Sequence, residues 1–236
     1  MLKKMISLIF PVLVSLLSPL QSQAIGRVGN GGNIIVCLKP GSAQCYGRDL
    51  HEGAFYDTYE ADIRYKIKPL SMYGSVVDPT SAADYALKLL QPVGGYDKEM
   101  AKTLSSYVKS FFGEANFVPG IQLLPIPDTG ISFIPYHSEL RQLVVQREPI
   151  AAHDKRYVVS KDLWDLMSNA DQAHAILHEV FYRYALEQKH EVESSEYIRY
   201  FNALVISGEV SKLSQMEFQN LAWSIFAKGY SPNPPN

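Results

Sequence analysis

The chain has 236 residues, 47% of them hydrophobic and 19% charged, with two cysteines and a formal net charge of −2. A chain of this length buries an adequate core without metal or multiple disulfides, and its composition excludes collagen-like, disordered and disulfide-framework classes. The near-even charge balance, with no long block of like charges, argues against a nucleic-acid protein whose affinity rests on neutralising phosphates.

The first residues carry an address. Met1-Leu2-Lys3-Lys4 precedes a thirteen-residue, largely apolar run from Met5 to Leu17, followed by Gln21-Ser22-Gln23-Ala24. A basic start, a short apolar middle and small residues at the last and third-last positions predict a secretory signal peptide over 1–24, cleaved after Ala24. A run of that length, interrupted by Pro11, falls short of the roughly 20 residues that span a bilayer, and no later segment is apolar enough to do so. The expectation is a secreted or periplasmic protein. Cleavage removes Lys3 and Lys4 and no acid, taking the net charge from −2 to −4. In an oxidising compartment Cys37 and Cys45 are expected to close a small disulfide loop around the Pro40-Gly41 turn. A thiolate metal site is the weaker reading, for want of a Cys-x-x-Cys pair.

Residues 25–230 read as a single α+β domain: a small antiparallel sheet, several amphipathic helices and a helical final third. The stretch Gly26–Asn33, rich in glycine and asparagine, predicts a turn leading into a strand over Ile34–Cys37. Phe55–Tyr65 is ambiguous between helix and strand. A helix follows, capped by Ser81 with Asp84 three residues on; Ala83, Ala86, Leu87 and Leu90 form its stripe and Pro92 ends it. A second helix starts near Asp97, carries Met100, Leu104, Tyr107, Val108 and Phe111 on one face and ends at Gly113. Five prolines between Phe117 and Pro149 forbid a continuous helix there. Ile131–Ile134, Leu140–Gln146 and Arg156–Val159 read as short strands, with His137 and His153 in exposed loops. Beyond them, Ser160 caps a short helix with Val159 and Trp164 as its staple, and helices follow over Asp171–Gln188 and Ser194–Ser207, the latter ended by Gly208. A last helix has a Ser214/Glu217 capping box, a Leu213/Phe218 staple and Gly229 at its end. Residues 231–236, rich in proline, are expected to be a disordered tail.

Histidine, glutamate and tyrosine concentrate in one place, Ala173-His174-Ala175-Ile176-Leu177-His178-Glu179-Val180-Phe181-Tyr182-Arg183. On a helix, Ala173, Leu177, Val180, Phe181 and Tyr184 make an apolar stripe with His174 and His178 beside its edge. Two imidazoles at i, i+4 converge on one cation, and a carboxylate next to a ligating histidine lies beside a metal-bound water as its general base. His178-Glu179-x-x-Tyr182 resembles the His-Glu-x-x-His motif of zincin metallopeptidases over about residues 131–206. Tyrosine stands at the second ligand position, with His174 one turn upstream instead. The resemblance implies a zincin-like core and a metal-dependent hydrolase of peptide or cell-wall material. Zn²⁺ would be held by His174 and His178, Glu196 on the next helix would be third ligand, and Glu179 would polarise the water.

The chain also resembles exported proteins of Bdellovibrio-type predatory bacteria. That likeness rests on Gly29-Asn30-Gly31-Gly32-Asn33 before Ile34–Cys37, on Leu177–Arg183, and on Ser195, Ile198 and Arg199; it implies export and no particular activity.

Two other readings stay open. In the first, the same residues form a structural polar cluster: His178 on a buried carbonyl, Glu179 and Arg183 as an i, i+4 pair, Tyr182 covering the core edge. The protein would then be a non-catalytic envelope protein, its 15 tyrosines offering contact surface to a partner. In the second, Glu179 or Glu196 and a histidine form a metal-free acid–base pair.

Overall fold

The computed structural model describes residues 28–29, 32–38, 53–70, 79–128, 130, 134–189, 192 and 194–227. The predicted leader, Cys45 and with it the expected pairing to Cys37, Gly229 and the tail 231–236 lie outside the described residues. No helix among the described residues is long and apolar enough to cross a membrane.

The architecture is α+β. In chain order it runs β1 (Val28–Gly29), β2 (Asn33–Cys37), β3 (Gly53–Phe55), α1 (Tyr56–Ile63), α2 (Ala82–Leu90), α3 (Val93–Tyr96), α4 (Lys98–Glu114) and β4 (Ala115–Val118). It continues with β5 (Ser138–Gln142), β6 (Val144–Arg147), β7 (Tyr157–Ser160), α5 (Lys161–Trp164), α6 (Asn169–Lys189), α7 (Glu196–Ile206), a 3₁₀ turn (Glu209–Lys212) and α8 (Gln215–Phe226). One sheet is three-stranded and antiparallel, ordered β3-β2-β5; the other has four strands, ordered β1-β6-β7-β4. In the latter, β4 pairs with β7 in parallel, from Ala115 opposite Tyr157 to Val118 opposite Ser160.

The segment Leu140–Gln146, read from sequence as one strand, is divided at Leu143, where the chain passes from one sheet to the other. The register survives the break: Val28 faces Arg147 and Gly29 faces Gln146 on one side of it, Asn33 faces Gln142 and Cys37 faces Ser138 on the other. At the break the Gly32 carbonyl accepts from both Leu143 N (3.1 Å) and Val144 N (3.3 Å). Its own N–H is thereby turned out of the ladder. A Cβ at Gly32 would lie 2.5 Å from the Phe55 ring, so only glycine fits.

The ambiguous segment resolves as both elements in succession: β3 ends at Phe55 and α1 begins at Tyr56. β4 lies just ahead of the first proline of the proline-rich stretch, where no strand was expected; of the predicted strand Ile131–Ile134, residues 131–133 lie outside the described residues and Ile134 is not in a strand. The helix signals fare better, except at Ser160, whose hydroxyl does not cap α5 but donates to the Ile121 carbonyl at 3.2 Å. Ser81 accepts from Asp84 N, Asp97 from Met100 N, and Ser214 and Glu217 close a capping box. Gly208 takes the left-handed φ of +76° after α7. The buried face of α2 is turned from the expected stripe, comprising Ala82, Tyr85, Ala86, Leu89 and Leu90 with Ala83 and Leu87 half-buried.

α6 is the centre of the molecule, touching α1, α2, α4, α7, α8 and β3. All residues from Ala173 to Tyr182 are buried, so this stretch has no solvent face. The expected one-sided stripe is therefore replaced by a helix packed on every side, and its polar side chains must be satisfied within the core.

Candidate functional site: a buried polar cluster on α1, α6 and α7

His174, His178 and Glu179 come together, not at the edge of a cleft but deep in the core, each exposed by 1% or less. Their partners come from α1 and α7. His178 Nδ1 lies 2.8 Å from Asp57 Oδ2, and Asn202 Nδ2 donates to the same oxygen at 2.8 Å and to the His174 carbonyl at 3.1 Å. His174 Nδ1 lies 2.8 Å from Thr58 Oγ1, whose hydroxyl donates to Asp171 Oδ1 at 2.9 Å. Because threonine has one proton to give, His174 must donate from Nδ1. This leaves His174 Nε2 as an acceptor. His174 Nε2, His178 Nε2, Asp57 Oδ1 and Asn202 Oδ1 are all buried and lack a hydrogen-bond partner.

Glu179 faces the broken ladder. Its Oε1 accepts from Gly32 N at 2.7 Å, and Gln146, its amide nitrogen turned inward, donates to Oε2 at 3.3 Å and to the Glu179 carbonyl at 3.1 Å. The predicted pair with Arg183 does not form. Arg183 instead binds Glu187 (2.8 Å) and Glu114 (3.1 Å) and lies over the Tyr107 ring. Tyr182 is buried: its ring runs parallel to that of His178 with centroids 6.4 Å apart, and its hydroxyl donates to the Val192 carbonyl at 3.4 Å.

Burial drives the protonation states apart. His174, desolvated and only partly compensated by the Asp57 charge, is pushed down to about 3 and is neutral. His178 feels the same burial, but the Asp57 charge and hydrogen bond outweigh it and push it up to about 9. Glu179 is pushed up to about 7 by burial, against the pull of His178 and the Gly32 N–H.

Glu196 belongs to a different set of contacts. Arg64 binds its carboxylate directly and also donates to Glu60 Oε1 (3.1 Å) and the Gly130 carbonyl (3.0 Å). Arg199, almost wholly buried, donates to Glu60 Oε2 (2.6 Å), to Ser195 Oγ (2.7 Å) and to Asp128. Asp128 further accepts from Ser194 Oγ and Ser195 N, each at 3.0 Å. Burial would raise the Asp128 carboxyl, but Arg199 and Ser195 hold it below its ordinary value; at Glu60 burial wins and the carboxyl is raised.

Glu196, the carboxylate expected as third zinc ligand, is engaged by the Arg64 guanidinium, and among the described residues no group of three histidine, cysteine, aspartate or glutamate side chains is placed to hold a metal. The residues that complete the cluster, Asp57, Thr58 and Glu60, sit in the segment whose secondary structure was ambiguous. Read as a helix, that segment places Asp57, Glu60 and Arg64 at i, i+3 and i+7 on one face, the one signal that pointed to them. Asn202 and Asp128 had no comparable signal.

Comparison with family models, curated proteins and solved structures finds no match for this chain.

Proposed function

We propose that this is an exported protein that acts by binding a partner in or beyond the cell envelope, and that its zincin-like helix is the polar keystone of the fold. One observation carries the reading. Each side chain that a zincin-like hydrolase would need is committed inside the core: His178 to Asp57, His174 to Thr58, Glu179 to the Gly32 N–H and Glu196 to Arg64. A peptide or cell-wall strand needs an open approach to the reacting atoms, and these atoms are sealed on all sides. The hydrogen bonds that Asp57, Thr58 and Asn202 make to the two histidine residues tie α1, α6 and α7 together, with four polar atoms of the cluster left unpaired.

A specific observation favours a second reading. Both imidazoles are oriented through Nδ1, one by a carboxylate and one by a hydroxyl, and both leave Nε2 without a partner, which is how ligating histidines are held. His174 thus keeps an unprotonated Nε2 for a divalent cation, His178 would give up its Nε2 proton to ligate one, and Glu196 is held by Arg64. Such a cation would polarise a water, and Glu179, titrating at about 7, would hold or release that water's proton near neutrality.

Metal analysis separates the two readings. Protein exported to an oxidising compartment is compared with His174→Ala and His178→Ala, and all are assayed on peptides and cell-wall fragments. The binding reading expects equally substoichiometric zinc in all three and no turnover. One zinc per chain, lost in both variants and accompanied by hydrolysis, overturns it. The same zinc without turnover makes the centre a structural metal.

A further inference from the structure

Between the segment that follows α1 and the turn that follows α7 lies an open cavity of about 450 Å³, a size typical of small-molecule sites. Leu70 N donates to the Ile206 carbonyl at 3.2 Å, which fastens the first segment to the end of α7. Gly208, at its left-handed φ, turns the chain into the 3₁₀ segment that supplies Glu209 and Lys212. The apolar part of the lining is Ile67, Leu204 and Leu213. Lys66, Lys68 and Lys212 supply three ammonium groups against the one carboxylate of Glu209. Among the described residues this leaves an excess of two positive charges, on a chain whose formal net charge is −2.

Lys66 stands where glycine would be at ease. Its φ of +57° lies in the left-handed region, and the turn is fixed by Ile67 N donating to the Ala61 carbonyl at 2.8 Å. Its side chain is exposed, so what lysine adds there over glycine is an ammonium group, not packing. Residues held in such conformations cluster at ligand clamps. We propose that this cavity binds a small soluble molecule carrying a phosphate group on an apolar body.

Charge decides for phosphate over carboxylate. A phosphate monoester bears about −1.5 to −2 charges at pH 7 and three acceptor oxygens, which answers an excess of two positive charges; a carboxylate bears one. Lysine is a point charge that can meet tetrahedral oxygens from several sides, whereas a planar carboxylate is matched by a guanidinium fork, and the described lining holds no arginine. Each ammonium has three protons to give. Lys66 gives one to the Ile63 carbonyl at 2.8 Å and Lys212 one to Glu209 Oε1 at 2.6 Å, so each can direct another at a phosphate. Ile67, Leu204 and Leu213 then take the apolar body. A hollow suits a discrete molecule, since a bilayer presents its headgroups as a plane. The cavity shares no residue with the His178 cluster, so its test stands apart from those of the proposed function.

The test is calorimetric titration of the full chain with phenyl phosphate, benzoate and inorganic phosphate. Phenyl phosphate is expected to bind saturably at one site, and the other two at least about ten-fold more weakly, each lacking one half of the recognised chemistry. Lys66→Gly and Lys212→Ala are each expected to weaken phenyl phosphate about ten-fold, while Lys161→Ala, outside the cavity, leaves it unchanged. The urea midpoint of Lys66→Gly should be unchanged or higher, because glycine relieves the left-handed backbone. A lower midpoint with unaltered phenyl phosphate binding overturns the proposal, making the Lys66 amine only a cap on the end of α1. No saturable binding, or equal weakening by Lys161→Ala, overturns it as well. Benzoate binding as tightly as phenyl phosphate refutes the assignment to phosphate, and inorganic phosphate doing so refutes the apolar body. Tighter binding to phosphatidic acid vesicles at equal accessible phosphate overturns the small-molecule assignment in favour of a lipid headgroup.

Discussion

At the residue scale, three buried groups titrate away from their ordinary values, in directions that shape the pH dependence of stability. His174, lowered from 6.5 to about 3, contributes stability above pH 6.5 that is lost as pH falls toward 3. His178, raised from 6.5 to about 9, contributes below 6.5 and loses its share as pH rises through 9. Glu179, raised from 4.5 to about 7, contributes below 4.5 and loses its share as pH rises through 7. Between 4.5 and 6.5 the gain at His174 with rising pH offsets the loss at Glu179, so a plateau is expected. Above 6.5 Glu179 and His178 act in the same direction and stability falls toward pH 9. Urea denaturation across pH 3 to 9 checks this, and His178→Asn should flatten the alkaline limb. A steady rise in stability from pH 6.5 to 9 would contradict the His178–Asp57 ion pair.

At the element scale, the broken β-ladder explains why a glycine-rich stretch precedes β2. The sequence reading took it as a turn. The structure makes Gly32 the point where one continuous register leaves the ladder so that its N–H can reach Glu179. Gly32→Ala would drive a methyl into the Phe55 ring, which packs edge-on against His178 with centroids 5.8 Å apart. The expected cost is about 1–3 kcal/mol from overpacking, read as a lower urea midpoint, with a matching loss of the Glu179 contact. A neutral substitution would mean that the ladder break has no role in holding Glu179. Helix ends, by contrast, were legible in advance at Ser81, Asp97, Gly208 and Ser214, because caps are written in residues within four positions of each other. The Leu140–Gln146 strand was not resolved into two, because nothing local marks Leu143 as the point where sheets change.

At the scale of the whole molecule, Arg199 joins what the chain keeps far apart: Glu60 on α1, Asp128 in the loop before β5, and Ser195 at the head of α7. Arg199→Ala would take the guanidinium from buried Asp128 and leave buried Glu60 to Arg64, and is expected to cost about 3–5 kcal/mol in urea denaturation. Arg199→Lys should not restore it, since an ammonium lacks the planar fork that serves Glu60 and Asp128 together. A change of less than about 1 kcal/mol would show that the network is not what holds α1, α7 and the loop together. The sequence by itself determined the α+β class, the helix termini, and the concentration of chemistry on the helix around His178, because propensity, capping and composition act over a few neighbouring residues. Only the tertiary structure decided that this helix is buried on every side, that Glu196 serves Arg64, and that Asp57 and Thr58 orient the two histidines. These depend on pairings across more than a hundred residues, such as Asp57 with His178 and Glu60 with Arg199, and burial in the folded core, which no local pattern encodes, sets both their partners and their charge.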